Sequence, residues 1–143
     1  MCDEIINHLY VGGLNSFETK NNFSLIVNCT KNEKISEALD FIRIPINDDP
    51  YESNKLLILI NETDVIDIIH KTLLNNNDVL IHCSAGMQRS CAVCACYLIK
   101  YHKMKPIEAI NYIKSKRPIA FFGNVNLLST IEQFYKEYIT SEL

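Results

Sequence analysis

Between Asp78 and Ile99 the chain passes from a short apolar run, Val79-Leu80-Ile81, through His82-Cys83-Ser84-Ala85-Gly86-Met87-Gln88-Arg89-Ser90 into a second apolar stretch, Cys91 to Ile99. The first run has the length of a buried strand; the second reads as a helix that is apolar on nearly every side. Two buried elements joined by so short a loop need further layers to cover them. The expectation is an α/β fold, a mainly parallel central sheet flanked by helices. The joint itself is chemically special. It lies at the carboxyl edge of a strand, where open α/β sheets bind ligands. The helix that follows directs its unpaired N–H groups and the positive end of its dipole toward it.

Each residue of the joint has a physical task. Successive backbone N–H groups from Ser84 to Arg89 can curl into an anion nest. Ala85 and Gly86 are small, which lets an oxyanion approach the backbone, and Met87 and Gln88 complete the curl. Arg89 offers a planar fork for two phosphate oxygens and a charge to stabilise a phosphoryl group in transfer. The chain contains only Arg43, Arg89 and Arg117, so an arginine here is not a by-product of an Arg-rich composition. Cys83 is the candidate nucleophile, its thiolate attacking phosphorus to form a thiophosphoryl intermediate. His82 is expected to orient the Cys83 backbone rather than act as a base. Ser90 places a hydroxyl near the sulfur, where it can stabilise the leaving thiolate of the second step. A bare Cys-x5-Arg pattern also arises by chance in strand-to-helix turns; the His, the Gly, the following Ser and the flanking elements together argue against chance. The chemistry further needs a proton donor for the leaving oxygen. The candidate is Asp48, in the loop after Ile44-Pro45-Ile46, with adjacent Asp49 as the alternative.

The rest of the chain bounds the setting. A length of 143 residues predicts one domain, residues 1–143, large enough for a core without disulfides or structural metal. Net charge is −3, so there is no basic footprint for nucleic acid or an anionic membrane. No apolar run reaches the ~18 residues of a membrane-spanning helix. The acidic start Met1-Cys2-Asp3-Glu4 lacks the pattern of a secretory leader. Cys91, Cys94 and Cys96 sit in an apolar run as small hydrophobes, with a redox partnership to Cys83 as the lesser reading. A reducing, cytoplasmic compartment is expected. His8, His70 and His102 show no metal-ligand spacing with the cysteines and read as surface or capping residues; no metal or cofactor is expected. Abundant Asn, Ile and Lys suggest an A+T-rich genome, such as that of a parasite or large virus.

Strands are predicted at Leu9-Tyr10-Val11, Ser24 to Cys29, Phe41 to Ile46 with Pro45 at its end, and Asp78 to His82. A helical stretch runs from about Ser53 to Leu74, with polar Asn61-Glu62-Thr63-Asp64 as a break. Another opens on Pro106 with Glu108 in its first turn and stops before Pro118. Asn124 is expected to cap a last helix reaching about Tyr138, with Leu127, Leu128, Ile131, Phe134 and Tyr138 facing inward.

His82 to Ser90 resembles the signature of the protein tyrosine phosphatase superfamily. The wider pattern resembles its small dual-specificity branch, including the poxvirus-type enzymes. Ile5 to Gly13 resembles the branch's opening strand, Ser24 to Thr30 its second, and Ile44-Pro45-Ile46-Asn47-Asp48 its general-acid loop. Cys96-Tyr97-Leu98-Ile99 resembles the Ala-Tyr-Leu-Met segment after the signature. Lys116-Arg117-Pro118 and Asn124 resemble the approach to the last helix. The resemblance implies a single compact phosphatase-like domain that hydrolyses phosphotyrosine and phosphoserine or phosphothreonine in proteins, without metal or organic cofactor, as a monomer or a homodimer. Carried over by position, Cys83 is the nucleophile, Arg89 binds phosphate, Asp48 is the acid and Ser90 assists hydrolysis.

Two departures stand out. Gln88 occupies a place where the branch often has Ser or Asn, which predicts a different pocket rim. Asp48 lies 35 residues before Cys83, which leaves Asp49 in play and suggests an insertion near Asn61 to Asp64. No separate phosphotyrosine-recognition loop is evident, which favours a shallow pocket. An RNA 5′-phosphatase or phosphoinositide phosphatase is the alternative within catalysis. Relatives taking such substrates often carry extra basic residues in the loop, whereas Ser84, Ala85, Met87 and Gln88 are uncharged. A catalytically silent phosphoprotein-binding module is the alternative of another class.

Overall fold

The computed structural model describes residues 1–18, 22–33 and 40–143. Among the described residues five strands form one sheet: β1 (Cys2–Ile6), β2 (Leu9–Gly12), β3 (Leu25–Asn28), β4 (Asp40–Arg43) and β5 (Val79–His82), in the spatial order β1-β2-β5-β3-β4. β1 and β2 pair antiparallel and the other neighbours pair parallel. β5 lies in the middle, and all four of its residues are buried. That is why it reads as a continuous apolar run rather than an alternating one. Its last residue, His82, is in register with Gly12 on one side and Asn28 on the other.

Alternate residues divide between the two faces. Leu9, Val11, Leu25, Val27, Val79 and Ile81 join the main core with the helices. Ile26 and Leu80 face the other way, where Phe23 covers them and meets Tyr10 edge to face at 5.6 Å.

The described residues include five α-helices: α1 (Ser53–Thr63), α2 (Val65–Leu74), α3 (Arg89–His102), α4 (Pro106–Lys116) and α5 (Leu128–Ser141). α3 is the central one. Every residue from Ser90 to Ile99 is buried, and the helix packs on α2, α4, α5 and β5. The expected break between α1 and α2 falls on Asp64, in the left-handed region at φ 61°. Aspartate tolerates that conformation better than most residues. α4 opens on Pro106 with the Glu108 carboxylate accepting the Lys105 N–H at 3.1 Å, and it stops at Arg117. None of these helices is long and apolar enough to cross a membrane.

Three expectations are corrected. β1 gave no signal, because only Ile5 of its five residues is buried and an edge strand so polar has no apolar period. β4 ends at Arg43, although Ile44 N still donates to Asn28 O at 2.8 Å before Pro45 stops the ladder. α5 begins at Leu128, so Asn124 does not cap it; the backbone carbonyl of Asn124 is instead held by Gln88. Leu128 is 37% exposed, and the inward face is carried by Leu127, Ile131 and Phe134, with Tyr138 half-buried.

Candidate active site

β5 ends at His82 and α3 begins at Arg89, so residues 83–88 cross the carboxyl edge of the sheet at its centre. The carbonyls of this loop are held from outside it. Ser84 O accepts the Leu14 N–H at 3.1 Å, and Met87 O accepts the Phe121 N–H at 2.7 Å. Arg117 donates from Nε to Gly86 O at 2.7 Å and from Nη2 to Ala85 O at 3.2 Å. In a planar trans peptide the N–H points opposite to the C=O. The amides of Ala85, Gly86, Met87 and Gln88 are therefore turned toward the loop's interior, in front of the first turn of α3. Such converging donors form an oxyanion cradle.

Gly86 has φ +70°, and a Cβ there would lie 2.5 Å from both Arg117 Nη2 and the Gly12 carbonyl carbon. Glycine is required by conformation and by space. The obstruction is on the outer side of the loop, a second demand for glycine beside the expected approach of the anion.

Cys83 is 2% exposed, and its Sγ lies 3.2 Å from Ser90 Oγ, itself fully buried. A hydroxyl at that distance can donate to a sulfur anion. His82 is fully buried. Burial holds its imidazole below the ordinary value, against the opposing hydrogen bond with the Cys83 backbone. Arg89 donates from Nη1 to Ile46 O at 3.0 Å, while its buried Nε has no hydrogen-bond partner among the described residues.

That contact joins the cradle to the loop bearing the two candidate acids. Asp49 Oδ1 accepts the Tyr51 N–H at 2.9 Å and caps a short 3-10 turn over Pro50–Glu52. Asp48 is exposed, and its Oδ1 accepts from Asn126 Nδ2 at 3.0 Å. The neighbouring carboxylates thus differ: one is occupied by its own turn, the other reaches toward the loop before α5.

Gln88 departs from its expected place on the rim. It is 4% exposed, and its side-chain amide bonds the backbone of residues 122–126; only its main-chain N–H can serve the cradle. Ser84 and Ala85 are exposed and Met87 is half-buried.

Arg117 is the residue that sequence reasoning undervalued. It is 4% exposed, braces the cradle from behind and pairs with Asp3 at 2.8 Å. The scarcity of arginine was the one available signal. His70 is likewise more than a surface residue. Its ring stacks on Tyr101 with centroids 3.7 Å apart, and its Nδ1 lies 2.9 Å from the Tyr97 hydroxyl.

All six cysteines are free thiols. Burial pushes Cys91 up to about 12 and raises Cys29, Cys94 and Cys96 as well. No trio of His, Cys, Asp or Glu among the described residues is arranged to hold a metal ion.

Residues 9–137 match the dual specificity phosphatase catalytic domain. Dual specificity protein phosphatase 8 of Mus musculus is 34% identical over 139 residues, which cover 91% of this chain. The chain spans only 20% of the mouse protein's length. Protein 123R of Invertebrate iridescent virus 6, whose name assigns it to the tyrosine phosphatases, is 30% identical over 133 residues, covering 92% of this chain and 89% of the viral one. Among solved structures, human DUSP28 superposes with a TM-score of 0.83 at 22% identity, covering 95% of this chain and 93% of that one. The last likeness concerns the fold. The sequence match extends across nine-tenths of the chain and includes the cradle, and on that ground the chain belongs to the dual specificity phosphatase catalytic domain family.

Proposed function

We propose that the chain is a dual specificity protein phosphatase, hydrolysing phosphotyrosine and phosphoserine or phosphothreonine through a cysteinyl-phosphate intermediate. The observation that carries this reading is a cradle with its carbonyls tied outward and Cys83 Sγ beside Ser90 Oγ. In the first step the Cys83 thiolate attacks phosphorus, and the leaving oxygen takes a proton from Asp48. In the second, water attacks the thiophosphate and gives its proton to the Asp48 carboxylate. The Cys83–P bond breaks, and the departing thiolate accepts a hydrogen bond from Ser90. Arg89 and the loop amides hold the equatorial oxygens in both steps. No metal or organic cofactor takes part.

The exposed loop residues Ser84 and Ala85 are uncharged, which favours a phosphorylated side chain over triphosphorylated RNA or a phosphoinositide. The same reading takes a phosphoprotein as partner, with neither nucleic acid nor membrane. It has the chain acting as a monomer or homodimer in the reducing cytoplasm of a parasite or virus-infected cell.

The test is turnover by reduced protein on phosphotyrosine and phosphothreonine peptides, beside Cys83→Ser. Turnover of both peptides, abolished in the variant, is expected. Faster hydrolysis of triphosphorylated RNA or a phosphoinositide would move the reading to those substrates. Phosphopeptide binding without turnover would make the chain a binding module.

A further inference from the structure

Asp48 is exposed, and nothing about its surroundings buries it into one rotamer. A general acid must nevertheless stand within hydrogen-bond reach of the leaving oxygen, and an unrestrained side chain loses entropy to do so. Among the described residues the carboxylate's hydrogen bond comes from one side chain, Asn126, through Nδ2 at 3.0 Å.

Asn126 belongs to an irregular stretch before α5 in which Phe121 and Gly123 both have positive φ. Such a turn has no helix or sheet ladder to hold it. Beside the Phe121 N–H held by Met87 O, its anchor is the Gln88 side chain. The Gln88 Nε2 donates to Asn124 O at 2.7 Å and to Phe122 O at 3.4 Å, and its Oε1 accepts the Asn126 N–H at 3.0 Å. Both polar atoms of this buried amide are thus committed, and a satisfied buried amide is a rigid brace. Gln88 is itself part of the cradle and the neighbour of Arg89, which holds Ile46 O two residues before Asp48. The cradle therefore grips the acid loop twice: directly through Arg89, and through a chain of amides running from Gln88 to Asn126 to Asp48.

We propose that Asn126 and Gln88 are positioning residues for Asp48, so that the phosphate cradle sets the place of the proton donor before substrate arrives. Asn126 bonds Oδ1 and leaves Oδ2 to carry the proton. The inference rests on the reading of Asp48 as the acid, and it deepens that reading.

Leaving-group dependence tests it. Protonation matters greatly when a tyrosine or threonine oxygen departs and little when the departing phenol is already strongly acidic. Asn126→Ala is expected to lower kcat/KM on a phosphotyrosine peptide about tenfold, a part of the ~10²–10⁴ that a general acid supplies. On an aryl phosphate with a strongly acidic phenol the change is expected to stay within about twofold, because the cradle is intact. Asp48→Asn should show the same selectivity more strongly, and adding Asn126→Ala to it should cost nothing further. Gln88→Ala, a change within the cradle itself, should show the selective loss on the phosphotyrosine peptide on top of any loss common to both substrates; if that buried change unfolds the chain, half-buried Asn126 decides the matter. Equal losses on both substrates in Asn126→Ala, beside a selective loss in Asp48→Asn, overturn the positioning role alone. A non-selective Asp48→Asn overturns the acid assignment and the proposal with it.

Discussion

Asp48 and Asp49 are one peptide bond apart, yet their carboxylates have different partners. Asp49 caps its own 3-10 turn, and asparagine caps as well as aspartate. Asp49→Asn should therefore keep the basic limb of the pH–rate profile, whereas Asp48→Asn should lose it; the reverse outcome in the two profiles would reassign the acid. The cysteines divide in a similar way. Cys91 is pushed up to about 12 by burial, and Cys29, Cys94 and Cys96 are also raised. At pH 7 these four are thiols, and a thiol is a poor nucleophile. An anionic alkylator such as iodoacetate should modify Cys83 from within the cradle, inorganic phosphate should protect it, and the four buried cysteines should react only in denaturant. Peptide mapping that found Cys91 labelled before Cys83 would refute this. What was legible at this scale was what is contiguous. His82, Cys83, Arg89 and Ser90 lie within nine residues, so their juxtaposition could be read in one line of sequence. Gln88's inward turn, Arg117's brace and Asn126's bond to Asp48 each join residues more than thirty positions apart, and no local pattern encodes them.

Elements were legible where burial imposed a period and obscure where it did not. β5 and α3 are buried throughout and were read directly, and the α1–α2 break was marked by its polar residues. β1 escaped for want of buried side chains, and α5 starts only after residues 122–126, whose backbone Gln88 holds. The α2–α3 contact offers a test of a polar tie between helices. Asp67 on α2 accepts hydrogen bonds from Lys100, at 2.7 Å, and from the Tyr101 hydroxyl on α3. The Lys100 bond and then the Tyr101 bond hold its carboxyl below the ordinary range. A group depressed in the folded state contributes stability above its unfolded value, near 3.9, and loses it as pH falls through the folded one. Because the pair is partly exposed, its contribution is small. Asp67→Asn should lower Tm by about 1–3 °C at pH 7, and the gap to the parent should close as the pH is taken below about 4. A gap that widened on acidification would mean that the tie does not act through the ionised carboxylate.

At the scale of the whole molecule, the cradle is where distant parts of the chain are fastened together. Arg117, at the end of α4, bonds Asp3 on the edge strand and the carbonyls of Ala85 and Gly86 behind the cradle. The guanidinium is almost wholly enclosed, so its removal leaves the Ala85 carbonyl and the Asp3 carboxylate without this donor and the Gly86 carbonyl with only the weak Cys91 thiol. Breaking a buried charged network of this kind costs about 3–5 kcal/mol; Asp3 is 41% exposed and recovers water, which places Arg117→Ala nearer about 2–3 kcal/mol. Urea denaturation measures that loss. A second reading separates a weakened fold from a loosened site. Saturating inorganic phosphate at 100 times its Kd should stabilise the parent by about 2.7 kcal/mol. In Arg117→Ala the carbonyls of Ala85 and Gly86 lose the donors that turn the next amides inward, so phosphate at the same concentration should stabilise the variant much less. An undiminished phosphate effect in a destabilised Arg117→Ala would show that Arg117 fastens β1 and α4 together but does not shape the anion site.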